Sequence, residues 1–235
     1  VSPDEAKQPL SPSESLARRY ANRDAIRQWH MRERAQGAVK ALERHGFSAA
    51  FVENKDEARE AVLGLIPDGA TVGIGGSMTI REIGVLNVLE KKGHKLFDHW
   101  KPGLSAEELM VIRRAQLTCD VFLTSVNAMT AGGELVSCEG IGNRIAAMTF
   151  GPRKVIVVAG VNKLTSDIPA AMRRVKDVAA PQALSGMDLE LPCQHTGSCQ
   201  ECDSPKRGCR VTLIMERKPS STDITVILVG QSLGF

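Results

Sequence analysis

At 235 residues, with a 43% hydrophobic and 24% charged composition, the chain is long enough for one sizeable core and too ordinary for a disordered or fibrous protein. Thirty basic against 27 acidic residues leave a net charge of +3. Residues 1–46, with nine Lys/Arg and six Asp/Glu, already account for that excess. Such a mild bias with few aromatic residues argues against nucleic acid. The longest apolar run, Val155–Val161, suits a buried strand and falls far short of a membrane helix. No apolar leader opens the chain, so a cytoplasmic location is expected.

In chain order, residues 1–12 read as a Pro-containing tail, and 13–45 as helix with one Gly and no Pro. Leu16, Tyr20, Met31, Ala38 and Leu42 share one helical side, which predicts a core-facing stripe; Ile26 and Trp29 fall opposite. That opposition implies either a bend near Arg23–Asp24 or a contact with a second copy. After Gly46, short apolar runs alternate with helical ones. Strands are expected at Phe47–Val52, Ala70–Ile74, Lys95–Asp98, Val121–Thr124, Val155–Gly160, Val211–Met215 and Ile224–Val229. Helices are expected after Asn54, over Thr79–Lys92 with Thr79 and Glu82 at capping-box spacing, from Ser105 to Leu117, over Asn143–Met148, and from Ser166 or Asp167 towards Val178. The pattern predicts an α/β fold: a mainly parallel sheet with helices on both faces, spanning 47–235, and an N-terminal helical extension over 1–46. Ligands of such sheets gather at the carboxyl ends of the strands.

Three polar loops are placed at that edge. Gly73-Ile74-Gly75-Gly76-Ser77-Met78-Thr79 links a strand to a helix, where glycines allow close backbone approach and Ser77 and Thr79 add hydroxyls for an anion. It ends in no Gly-Lys-Ser/Thr and lacks the last Gly of the dinucleotide fingerprint, so a tight turn is an equal reading. Thr124-Ser125-Val126-Asn127-Ala128 leaves a second strand, and Glu139-Gly140-Ile141-Gly142-Asn143-Arg144 opens a helix. Glu139 is a candidate catalytic carboxylate, and Asn143 and Arg144 are candidate anion ligands; the structural alternative is an Asn helix cap with Arg144 paired to Glu139. Gly160-Val161-Asn162-Lys163 supplies an amide and an ammonium. Together Gly73, Gly75, Gly76, Ser77, Thr79, Asn127, Gly140, Gly142, Asn143, Arg144, Asn162 and Lys163 form the candidate ligand-binding set.

Cys193, Cys199, Cys202 and Cys209 fall within seventeen residues, enough for a tetrahedral zinc site or an iron–sulfur cluster. Lys206, Arg207 and Arg210 would offset thiolate charge. Cys119 and Cys138 read as small core residues.

These loops, with Gly151-Pro152-Arg153-Lys154-Val155, Ala179-Ala180-Pro181 and Leu233-Gly234-Phe235, resemble the LUD (lactate-utilisation) family pattern over roughly 47–235. The resemblance implies a fold similar to ribose-5-phosphate isomerase and CoA transferases, and a part in oxidising L-lactate to pyruvate beside iron–sulfur partner proteins. It implies that the Gly73–Thr79 and Glu139–Arg144 loops line the pocket, and an iron–sulfur cluster ahead of zinc on the cysteine segment. Glu139 stands where many relatives carry Asp. A sugar-phosphate or acyl-CoA enzyme on the same fold, or an assembly subunit with a structural metal, is the alternative function.

Overall fold

The computed structural model describes residues 11–235. Its N-terminal helix is two helices, α1 (Pro12–Ala21) and α2 (Arg23–Arg44), broken at Asn22. The break falls close to the expected bend at Arg23–Asp24, while Ile26 and Trp29 on the opposite side are exposed. The expected core-facing side is corrected: Leu16 and Tyr20 are exposed, and burial begins only at Ala35 and continues through Ala38, Ala41 and Leu42. Upstream of that turn none of the described residues of α1 and α2 is buried. The expected tail at residues 1–12 lies largely outside the described residues.

The rest alternates as the apolar runs predict. Strand β1 (Ser48–Val52) leads to α3 (Lys55–Gly64), whose N-cap Asn54 accepts from the backbone N–H of Asp56 and Glu57. Then follow β2 (Val72–Ile74), α4 (Met78–Glu82), α5 (Val85–Lys91), β3 (Leu96–Asp98), α6 (Ala106–Ala115) and β4 (Val121–Thr124). After these come β5 (Ala128–Thr130), β6 (Leu135–Glu139), α7 (Asn143–Thr149), β7 (Lys154–Gly160), β8 (Leu164–Thr165) and α8 (Ile168–Arg174). A π-helical turn at Val175–Ala179, α9 (Ala180–Ser185), α10 (Pro192–Thr196), β9 (Val211–Met215) and β10 (Asp223–Val229) complete the chain.

The main sheet has six strands in the order β1-β10-β7-β4-β2-β3, and every pairing in it is parallel. Side chains of β7 alternate between two cores. Val155, Val157 and Ala159 pack with Ala35, Ala38 and Leu42 of α2 and Met148 of α7 on one face. Ile156 and Val158 pack with Ala58 and Val62 of α3 and Leu89 of α5 on the other. Helices therefore cover both faces, which is why these strands are apolar throughout. No helix among the described residues is long and apolar enough to cross a membrane.

Three expectations change. The predicted helix Thr79–Lys92 is two helices, because Gly84 adopts a left-handed φ of 72° between α4 and α5. Its cap is Ser77, whose Oγ accepts from the Ile80 N–H at 3.3 Å, not Thr79, which turns inward. A second, four-stranded sheet, β8-β5-β6-β9, is additional to the expected topology, and Val211–Met215 belongs to it.

Candidate functional site

The carboxyl ends of β2, β4 and β7 are neighbours in the sheet, so the loops that follow them meet. Thr79 comes from the first, Ser125 from the second and Lys163 from the third. Lys163 is 3% exposed. Its Nζ donates to Ser125 Oγ at 2.9 Å and to Thr79 Oγ1 at 3.0 Å. Among the described residues it makes no salt bridge. Burial, then the guanidiniums of Arg174 and Arg144, push the Lys163 ammonium down to about 7, against a smaller opposing pull from Glu82.

The residues Leu233 and Gly234 pack directly over this cluster. Thr79 Oγ1 donates to the Leu233 carbonyl at 3.3 Å, and Asn162 Nδ2 donates to the Leu233 and Gly234 carbonyls at 3.5 and 3.2 Å. In return, the Leu233 N–H donates to Asn162 Oδ1 at 3.1 Å and the Gly234 N–H to Glu82 Oε2 at 2.8 Å. Gly234 has φ +56°, and a Cβ there would stand 2.4 Å from Thr79 Oγ1, so only glycine fits against the threonine.

Arg144 sits beside this cluster as a tie. It donates to Glu139 Oε2 at 3.2 Å, the Ser125 carbonyl at 3.1 Å, Asn127 Oδ1 at 3.0 Å and the Cys138 carbonyl at 2.9 Å. Asn127 Oδ1 also accepts from the Cys138 N–H. Glu139 Oε1 accepts from the Ile145 N–H at 3.1 Å, so both carboxylate oxygens are engaged. The arrangement is the ion-paired alternative for Glu139 and Arg144. The helix cap is Gly142, not Asn143. Gly140 lies against the backbone of Gly208, which places the start of this loop beside the cysteine segment.

Asn143 instead donates to Gln116 Oε1 at 3.3 Å, in a second polar group that the sequence does not single out. Fully buried Gln116 donates to the carbonyls of Ile74 and Phe97 and contacts His99 Nδ1 at 2.9 Å. Burial, followed by the charge of Arg113, holds the His99 imidazole below its usual range. Gly76 passes against this group: a Cβ there would lie 3.1 Å from His99 Nε2 and 3.2 Å from Trp100 Nε1. Gly73 and Gly75 have a packing reason, since Cβ atoms there would press on Cys119 Sγ and the Phe122 ring. His99 follows the end of β3, a position the strand-end rule could have flagged.

The cysteine segment folds over α9. Cys193, Cys199, Cys202 and Cys209 all line one narrow cleft with Ala180, Pro181, Leu184 and Leu191. The Glu201 N–H donates to Cys199 Sγ at 3.4 Å, and Arg207 donates to the Cys209 and Cys202 carbonyls. All six cysteines are free thiols. Among the described residues, no three or more His, Cys, Asp or Glu side chains form a group placed to hold a metal ion. Cys119 is a buried core thiol, raised to about 11 by burial. Cys138 is only half-buried and lies beside the free thiol of Cys209; the interaction between the two thiols lowers Cys138 and raises Cys209.

A family model described as LUD domain matches residues 35–229. The chain is similar to a solved structure of a DUF162 family protein from Deinococcus radiodurans, at 12% identity and a TM-score of 0.48, over 86% of this chain and 98% of that one. No curated protein matches the chain.

Proposed function

Because the chain belongs to the LUD domain family, which is related to lactate-utilisation proteins, we propose that it is a component of L-lactate or related 2-hydroxy-acid utilisation. In this reading it binds a small carboxylate in the chamber around Lys163 and works beside iron–sulfur electron-transfer partners. The observation that carries the reading is Lys163 itself. An ammonium taken out of water without a carboxylate partner costs several kcal/mol. An anionic ligand would supply the missing counter-charge, with Thr79, Ser125 and Asn162 as hydrogen-bonding groups around it. Arg144 and Asn127 act one step away, holding the Ser125 loop and adding positive potential.

The cysteine segment supports a cluster of this chain's own, held by Cys193, Cys199, Cys202 and Cys209. The four thiols line one cleft, a set of soft donors of the kind an iron–sulfur cluster takes. The N–H···S bond to Cys199 and the nearby Arg207 stabilise thiolate charge. When bound, such a cluster supplies one-electron transfer. Acyl-CoA chemistry on Glu139 finds less support, because both of its oxygens already accept hydrogen bonds. A second copy would pack on the exposed Leu16, Tyr20, Ile26 and Trp29 of α1 and α2.

Titration calorimetry with L-lactate and pyruvate tests the reading. Saturable binding is expected for the native chain, weakened about tenfold or more in Lys163→Met, equivalent to at least about 1.4 kcal/mol. Equal affinity in the two proteins, or no binding of either acid, would overturn it.

A further inference from the structure

We propose that Lys163 binds its ligand covalently, its Nζ condensing with the keto carbon of a 2-oxo acid to form an imine while the Ser125 hydroxyl relays the proton. The proposal rests on the carboxylate-binding reading above and names both its substrate class and its chemistry. Three observations lead to it. Lys163 is almost wholly buried, yet its hydrogen-bond partners are two hydroxyls, with no ion pair among the described residues. A lysine kept only for packing would be better replaced by an apolar side chain, since burying its charge is costly. A desolvated amine beside other cations, here Arg144 and Arg174, is instead an activated nucleophile, and the depressed affinity of Lys163 for its proton agrees.

The covering segment indicates the ligand geometry that Thr79 and Asn162 would take. Leu233 and Gly234 present two carbonyl oxygens to the Thr79 hydroxyl and the Asn162 amide. A ligand carboxylate offers the same pair of acceptors. Replacing that segment, it would sit on Thr79 and Asn162 and leave the adjacent keto carbon beside Nζ. Entry therefore requires the bonds of Leu233 and Gly234 to Thr79, Asn162 and Glu82 to open.

The step balances without an oxidant or reductant. The nitrogen lone pair forms the C–N bond as the carbonyl π pair moves to oxygen, which takes a proton through Ser125. The nitrogen of this adduct loses a proton, and the hydroxyl leaves as water when protonated. A C=N bond then replaces the C=O bond.

The full chain is incubated with pyruvate and cyanoborohydride, and the modified lysines are mapped by peptide mass spectrometry, with pyruvate binding followed in parallel by calorimetry. The reduced adduct is expected on Lys163 on the order of tenfold faster than on exposed lysines, with the rate rising as pH passes about 7. Ser125→Ala, checked for folding by circular dichroism, is expected to slow the adduct at saturating pyruvate by on the order of tenfold or more, beyond whatever loss of affinity calorimetry records. Adducts on surface lysines at an equal rate, or none on Lys163, overturn the proposal. Binding without an adduct overturns the imine alone; absence of both binding and adduct removes the carboxylate reading with it.

Discussion

The charge on Lys163 links the chamber to the stability of the whole chain. In the folded state its pKa falls to about 7 from an ordinary 10.5. Between those values the unfolded chain holds a proton that the folded chain has released, so this residue's contribution to stability rises with pH across that window. Below about pH 7 both states are charged and the full cost of burying the ammonium stands, roughly 3–5 kcal/mol for a shift of this size. Lys163→Met removes the charge and leaves two hydroxyls short of a partner, a loss of about 1–3 kcal/mol. In urea titrations the native chain is expected to gain stability relative to Lys163→Met between about pH 6 and about pH 9. A pH-independent difference between the two proteins would show that Lys163 is not desolvated. The lysine and its threonine were both readable from their loops. Ser125 lay within a recognised motif without being nominated, because a serine after a buried strand carries no signal until its neighbours in space are known. Gln116 was hidden for the same reason: it lies just past the end of α6 and meets β2 and β3 only through the fold.

At the scale of elements, local chemistry predicted best where one residue acts on its own neighbours. Ser105 with Glu108 forms the expected capping box, and Asp167 caps α8 ahead of Pro169. It failed where tertiary demand competes. Thr79 has capping-box spacing to Glu82, but its hydroxyl serves Lys163, and Ser77 takes the cap. The strands β5, β6 and β8 are short, and their burial depends on a sheet that no local period announces. The cysteine segment sits between these cases. Its spacing proposed four ligands, and folding gathers the four round one cleft while adding Cys138 from β6 as a neighbour of Cys209. Protein purified without air is expected to be brown, to carry stoichiometric iron and acid-labile sulfide, and to bleach on reduction. Cys199→Ser together with Cys202→Ser should abolish the colour. A colourless anaerobic preparation with stoichiometric zinc would leave the segment as a structural clip.

For the whole molecule, strand–helix alternation made the parallel sheet legible, since each βαβ passage is long enough to read as strand, helix and strand. The point at which the core begins was less so, because α2 is continuous across it. Packing enters this helix at Ala35, and Leu42 is completely buried against the sheet. The first ten positions of α2, Arg23–Arg32, contribute no buried residue, although Arg32 reaches Glu53 at 3.0 Å across the surface. That ion pair, half exposed at both ends, is worth at most about 1 kcal/mol. A chain beginning at Met31 is therefore expected to fold, with a melting temperature within a few degrees of the full chain and unchanged pyruvate binding. A chain beginning at Gly46 loses Leu42 together with Ala35, Ala38 and Ala41, and deleting one buried Leu side chain alone costs about 2–5 kcal/mol. That loss is comparable to the whole stability of an ordinary domain, so this shorter chain should lack a cooperative melting transition. Light scattering on the chain from Met31 then isolates the exposed Leu16, Tyr20, Ile26 and Trp29 from folding. A drop in subunit count would assign those residues to contact between copies, and an unchanged count would mean that copies do not assemble through them.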